Sequence, residues 1–264
     1  MTSILKIAGL KFSWGSNQIL DNINLEIGEN ELVAILGVNG AGKSTFLKCI
    51  NRILALSEGT VEISGKNIEH MNLMSLSKAT SYVPQSVKTN FSTDVFDIVM
   101  LGRRPHINWR ISENDRDRVS ETLRFFGLED FAFRKFDMLS GGERQRVIIA
   151  KAVAQDPELF LLDEPTSDLD LKNQVSIMKK IRQVVSDVNS KKSAIVAIHD
   201  INMAARFADR VVLLDKGRIK ADGAPSEVLT EANIAEVFGV SCEILPEEYG
   251  QLPLRILVKD EIEG

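Results

Sequence analysis

Across residues 4–14 and 23–27 apolar residues alternate with polar ones, the period of a strand with one face buried, and Gly15 and Gly28 punctuate the two runs. The spacing predicts an antiparallel meander. Residues 31–36 form a short apolar run entering a glycine-rich loop, after which Phe46, Leu47 and Ile50 recur at helical spacing. The order is strand, loop, helix. Three later runs, 159–162, 194–198 and 211–214, are short, continuously apolar and bounded by turn residues, as in strands buried on both faces. Helical stretches separate the first two, so a parallel sheet is the expected frame.

Between these strands the pattern turns helical over residues 87–156. Ser112 and Asp115 have capping-box spacing, and the helix they open carries Val119, Leu123 and Phe126 on one stripe, with Gly127 placed to end it. Beyond Gly223 the chain reads as a short helical tail and then a strand at 254–258.

Composition narrows the class. Of 264 residues, 44% are hydrophobic and 26% charged, a globular mix that excludes disorder and collagen-like structure. Lys and Arg number 32 against 37 Asp and Glu, so the net charge of -5 supplies no overall basic field, and no nucleic-acid partner is expected. No apolar run approaches the roughly 18 residues that span a bilayer, and the N-terminus lacks the order of a signal peptide. A chain in the cytosol is expected. Cys49 and Cys242 stand far apart without ligand-spaced neighbours, which argues against a disulfide framework or a zinc site.

The loop after the 31–36 run is Gly37-Val38-Asn39-Gly40-Ala41-Gly42-Lys43-Ser44-Thr45, a match to G-x-x-x-x-G-K-[ST] between strand and helix. Glycines let the backbone wrap so that successive N–H groups point inward, the helix start adds a positive dipole end, and Lys43 neutralises the outer phosphates. Ser44 is placed to ligate Mg²⁺. A carboxylate for that metal comes at the exit of the 159–162 strand, in Asp163-Glu164-Pro165. Asp163 is expected to hold Mg²⁺ and Glu164 to polarise the attacking water as general base. Pro165 disfavours the α region at Glu164, so an extended chain is expected there.

Leu139-Ser140-Gly141-Gly142-Glu143 opens a helix running to Pro157. Ser140 and Glu143 form a capping box, but the two glycines each cost up to about 1 kcal/mol relative to Ala, and a phosphate drawn close to bare N–H groups would recover that cost.

Together, the 139–145 segment, the phosphate loop, the Asp163-Glu164 strand and Ser167-Asp168-Leu169-Asp170 resemble the ATPase subunit of an ATP-binding cassette (ABC) transporter over nearly the whole chain. The resemblance implies an α/β fold: a P-loop NTPase core of RecA type, an N-terminal antiparallel β subdomain and an inserted α-helical subdomain. It implies one ABC ATPase domain over 1–264, with 1–86 and 157–224 as β subdomain plus nucleotide core, 87–156 as helical insertion and 225–264 as tail. Two subunits would pair head to tail, ATP on one phosphate loop being closed over by Ser140, Gly141 and Gly142 of the other. Gln85 resembles the lid glutamine that touches Mg²⁺ and the attacking water. His199 resembles the switch histidine at the γ-phosphate, Asp170 the aspartate of the interface loop, and Trp14 the aromatic that stacks on adenine. Asp168 departs from the small or neutral residue of that pattern.

Residues 99–106, 170–174 and 200–204 are similar to the ATPases of importers for iron-siderophores, haem and cobalamin. The resemblance implies polytopic permease subunits and, through them, a solute-binding protein, with this chain peripheral on the cytoplasmic face of the membrane. Arg103 and Arg104 are expected to help form the groove for a permease helix, against the simpler reading of a solvated basic face. A molybdate or other metal importer, and a soluble ABC ATPase of cofactor assembly or repair, are the alternative readings.

Overall fold

The computed structural model describes residues 3–86, 92–167, 169–187, 190–245 and 254–262. In chain order these form β1 (Ser3–Trp14), β2 (Asn17–Gly28), β3 (Leu32–Leu36), α1 (Lys43–Ile50), β4 (Glu58–Ile63), β5 (Lys66–Asn67), α2 (Leu73–Ala79), β6 (Thr80–Val83), α3 (Val95–Leu101), α4 (Glu113–Phe126) and α5 (Gly141–Ala154). There follow β7 (Leu159–Asp163), α6 (Leu171–Val185), β8 (Ser193–Ala197), α7 (Ile201–Phe207), β9 (Arg210–Asp215), β10 (Arg218–Gly223), α8 (Pro225–Val228), α9 (Glu231–Phe238), β11 (Val240–Leu245) and β12 (Arg255–Glu261). Asp168 lies outside the described residues.

One sheet has the order β10-β9-β3-β8-β7-β6, parallel throughout except for β10 on its edge. The other, β2-β1-β4-β5, is antiparallel. Every residue of β3, β7 and β8 is buried, which is why those runs show no polar alternation. Period 2 still operates inside them, because successive side chains leave opposite faces of the sheet. Val33, Ile35, Leu159, Leu161, Ile195 and Ala197 pack with β1, β2 and α1 in one core. Ala34, Leu36, Phe160, Leu162, Ala194 and Val196 join α3 to α7 in the second. The parallel sheet is thus the wall shared by both cores, and its carboxyl ends open at their seam, where ligands of open α/β sheets bind.

α3, α4 and α5 pack on one another. Both expected capping boxes form, Ser112 with Asp115 on α4 and Ser140 with Glu143 on α5, and Gly127 ends α4 at φ 64°. Three backbone N–H and hydroxyl contacts from Ser140 and Glu143 close the second box, holding the Glu143 carboxyl below its usual range. The sequence reading missed β10 and β11: β10 is an edge strand with no buried residue to mark it, and β11 pairs antiparallel with β12 in a hairpin beyond α9. Asn202 on α7 ties that hairpin down, exchanging two hydrogen bonds with the backbone of Ile256.

Arg103 corrects the solvated-face reading of the basic cluster. It is buried, its Nε donating to Asp115 Oδ1 at 3.1 Å and its Nη1 to the Ala154 carbonyl at 2.8 Å, so it ties the end of α3 to the start of α4 and the end of α5. A solvated face does not describe it. Arg104, the next residue, is exposed. Among the described residues no helix is long and apolar enough to cross a membrane.

Candidate nucleotide site

The phosphate loop begins where β3 leaves the sheet. Gly42, the N-cap of α1, has φ 106° and no side-chain cap, so the first N–H groups of α1 are left to a ligand. Only glycine suits this position: the backbone is left-handed, and a Cβ would stand 2.9 Å from Leu20 Cδ2 beneath the loop. Lys43 is 5% exposed, and its ammonium donates to the carbonyls of Gly37 at 2.7 Å and Val38 at 3.1 Å. Burial lowers the pKa of Lys43, and the nearby Glu164 and Asp163 carboxylates offset part of that shift.

The two carboxylates at the end of β7 have separate surroundings. Asp163 is 3% exposed; Ser44 Oγ donates to its Oδ1 at 2.8 Å and the Tyr82 hydroxyl donates to its Oδ2 at 2.9 Å. Glu164 lies between Gln85, whose Nε2 donates to Oε2 at 2.6 Å, and His199, whose Nε2 contacts Oε1. The expectation of an extended chain at Glu164 is corrected: its φ is +50°. Its N–H bonds to the Ala197 carbonyl of β8 while its own carbonyl accepts from Ser167, so a turn closes directly on the strand end. Pro165 excludes the right-handed helix there, and the turn selects the left-handed region over extension.

A cleft of about 460 Å³ gathers Asn39, Gly40, Gly42, Lys43, Ser44, Thr45, Gln85, Glu164 and His199, together with Ile19 from β2. Asp163 adjoins it through Ser44, and Gly37 lies beneath as an acceptor for Lys43. Trp14 does not line the cleft. It ends β1, 59% exposed, with its ring edge-on to Phe12 at 5.2 Å. The start of α5 is also elsewhere: Gly141 lines a smaller cleft of about 170 Å³ with Gln85, Ser86, Arg144, Gln145, Ile148 and Ser167. Gly141 is exposed, with no heavy atom within 4 Å of where a Cβ would stand. Asp170 accepts from the Asn173 N–H as the N-cap of α6.

Sequence reasoning missed Ile19 and Tyr82. Tyr82 carried a signal, a phenol in a buried strand beside the carboxylate strand, because a phenol placed there needs an acceptor.

The ABC transporter family profile matches residues 20–167. An uncharacterised ABC transporter ATP-binding protein of Methanocaldococcus jannaschii is 46% identical over 91% of this chain and 93% of its own length. The hemin import ATP-binding protein of Streptomyces coelicolor is 36% identical over 90% of this chain and 84% of its own. Among solved structures, a metal-chelate type ABC transporter in an inward-facing conformation matches with a TM-score of 0.84 at 28% identity, covering 98% of each chain. With the phosphate loop and Glu164 in one cleft and Asp163 adjoining it, these matches establish that the chain belongs to the ABC transporter family, as one of its ATP-binding, ATP-hydrolysing subunits.

Proposed function

We propose that this chain powers the import of a metal chelate, of the iron-siderophore, haem or cobalamin kind, through separate permease subunits. The observation that carries the reading is the end-to-end likeness to the metal-chelate transporter's chain, 98% of each covered, tail included. The hemin import relative supports the same solute class. The working unit is a homodimer held peripherally at the cytoplasmic face of the membrane by the permease, which in turn receives solute from a binding protein.

The site's chemistry fits ATP with Mg²⁺. Ser44 and Asp163 offer hard oxygens 2.8 Å apart beside the phosphate loop. Ser44, Asp163 and Gln85 would hold Mg²⁺, which supplies positive charge against the outer phosphates. Lys43 and the free N–H groups of α1 cradle those phosphates. Glu164, oriented by Gln85 and His199, takes the proton of the attacking water, and His199 stands at the γ-phosphate. Ser140, Gly141 and Gly142 serve the nucleotide of the second copy, for which the open face of Gly141 leaves room. Contacts made only when two copies close over ATP shift the pair toward closure, and hydrolysis removes them.

Trp14 stacks on adenine from the hairpin tip. Trp14→Ala is expected to weaken ATP binding about tenfold, the scale of one base–aromatic stack, with Mg²⁺ dependence unchanged. An unaltered nucleotide titration removes the stacking role.

Affinity purification of the chain from detergent-solubilised membranes of its source cells, followed by mass spectrometry, tests the transport reading. A polytopic membrane protein is expected to co-purify. Recovery from the soluble fraction alone, without such a partner, would move the ATPase to cofactor assembly or repair.

A further inference from the structure

We infer that Tyr82 is a positioning residue for the metal-binding carboxylate, its hydroxyl fixing Asp163 so that Oδ1 faces Ser44 and the phosphate loop. The inference rests on the assignment of Asp163 to Mg²⁺ proposed above and adds to it the side chain that orients that group.

Asp163 is almost fully buried, and its hydrogen-bond donors among the described residues are two hydroxyls. Ser44 holds Oδ1 from the loop side. Tyr82 holds Oδ2 from the neighbouring strand, so a tilt of the carboxylate plane away from Ser44 and the loop breaks a buried bond to a charged group. The placement follows from the sheet. β6 runs parallel to β7, with Tyr82 paired to Leu161 and Val83 to Leu162, and the tyrosine ring reaches forward to the next carboxylate of β7. Thr80, two residues earlier on β6, reaches Asn51 at the end of α1. Three residues after Tyr82, Gln85 bonds Glu164. One edge strand and the turn that follows it therefore contact both adjacent carboxylates, Tyr82 the one assigned to metal and Gln85 the one assigned to water. A tyrosine that merely satisfied its own hydroxyl would affect folding. A tyrosine that orients Asp163 affects metal capture.

Tyr82→Phe separates these roles, because it removes the hydroxyl and keeps the ring. The full-length chain is titrated with a fluorescent ATP analogue across Mg²⁺ concentrations and again in EDTA, and its thermal midpoint is recorded. The expected result is a Mg²⁺ half-saturation about tenfold higher, the scale on which outer-shell partners act, with metal-free nucleotide affinity as in wild type and a thermal midpoint lower by about 2–5 °C from the lost buried bond. Wild-type half-saturation overturns the inference. So does an equal loss of affinity with and without Mg²⁺, which would place the hydroxyl's effect on the nucleotide or the fold. Asp163→Asn is measured alongside. If it alters Mg²⁺ dependence and Tyr82→Phe does not, only the role of Tyr82 fails; if Asp163→Asn also leaves Mg²⁺ dependence intact, the metal assignment falls with it.

Discussion

Glu164→Gln binds ATP and hydrolyses it about 10²–10⁴-fold more slowly, the range that a positioned general base contributes. In barrier terms that is roughly 3–5 kcal/mol. The expectation comes from what surrounds the carboxylate. Gln85 donates to one oxygen and His199 contacts the other, so the glutamine amide can satisfy a donor with its oxygen but offers no base to an incoming water. Volume is conserved and the phosphate loop is untouched, so nucleotide affinity stays near wild type. The variant is expected to accumulate a closed pair of subunits, seen as an ATP-dependent dimer in size-exclusion chromatography beside a turnover assay. Turnover within a few-fold of wild type would remove Glu164 as the base.

Arg103→Ala lowers folding stability by about 3–5 kcal/mol, because it leaves Asp115 as a buried carboxylate without its cation. Both side chains of the pair are more than nine-tenths buried, and Arg103 also satisfies the last turn of α5 through Ala154. Asp115 retains its bonds from Ser112, whose hydroxyl is the main reason its carboxyl lies below the usual range. Those bonds favour the charged form and so leave the buried charge in place. Thermal unfolding of the isolated chain should fall by roughly 5–10 °C for a domain of this size. Replacing both partners with apolar residues, Arg103→Met with Asp115→Leu, is expected to recover much of the loss. A residue that served only to dock a permease would give the opposite pattern: normal unfolding of the isolated chain and a weakened complex.

What the sequence revealed and what it concealed divide along a physical line. Features specified by neighbours within a few residues were readable, including the glycine loop opening onto α1, the capping boxes at Ser112 and Ser140, and the carboxylates at the end of an apolar run. Features specified by partners distant in the chain were not. The burial of Arg103, read from the sequence as part of a permease groove or of a solvated face, was hidden because its partners are 12 and 51 residues away. Tyr82 drew no functional reading because Asp163 lies 81 residues downstream. The left-handed turn at Glu164 escaped for the same reason, since the Ala197 carbonyl that its N–H bonds belongs to the neighbouring strand. The start of α5 was readable as a helix terminus, and the family pattern, not the local spacing, suggested that its ligand sits on another copy.

The φ of +50° at Glu164 sets stability against activity at a single position. A side chain in the left-handed region costs on the order of 1 kcal/mol, which glycine there would not incur. Selection for a sturdier protein alone would therefore favour glycine after Asp163. If Glu164 is the base, as proposed, glutamate here marks a position where the fold tolerates a less stable backbone for the sake of a proton acceptor, and stabilising substitutions sought across this chain should leave it alone.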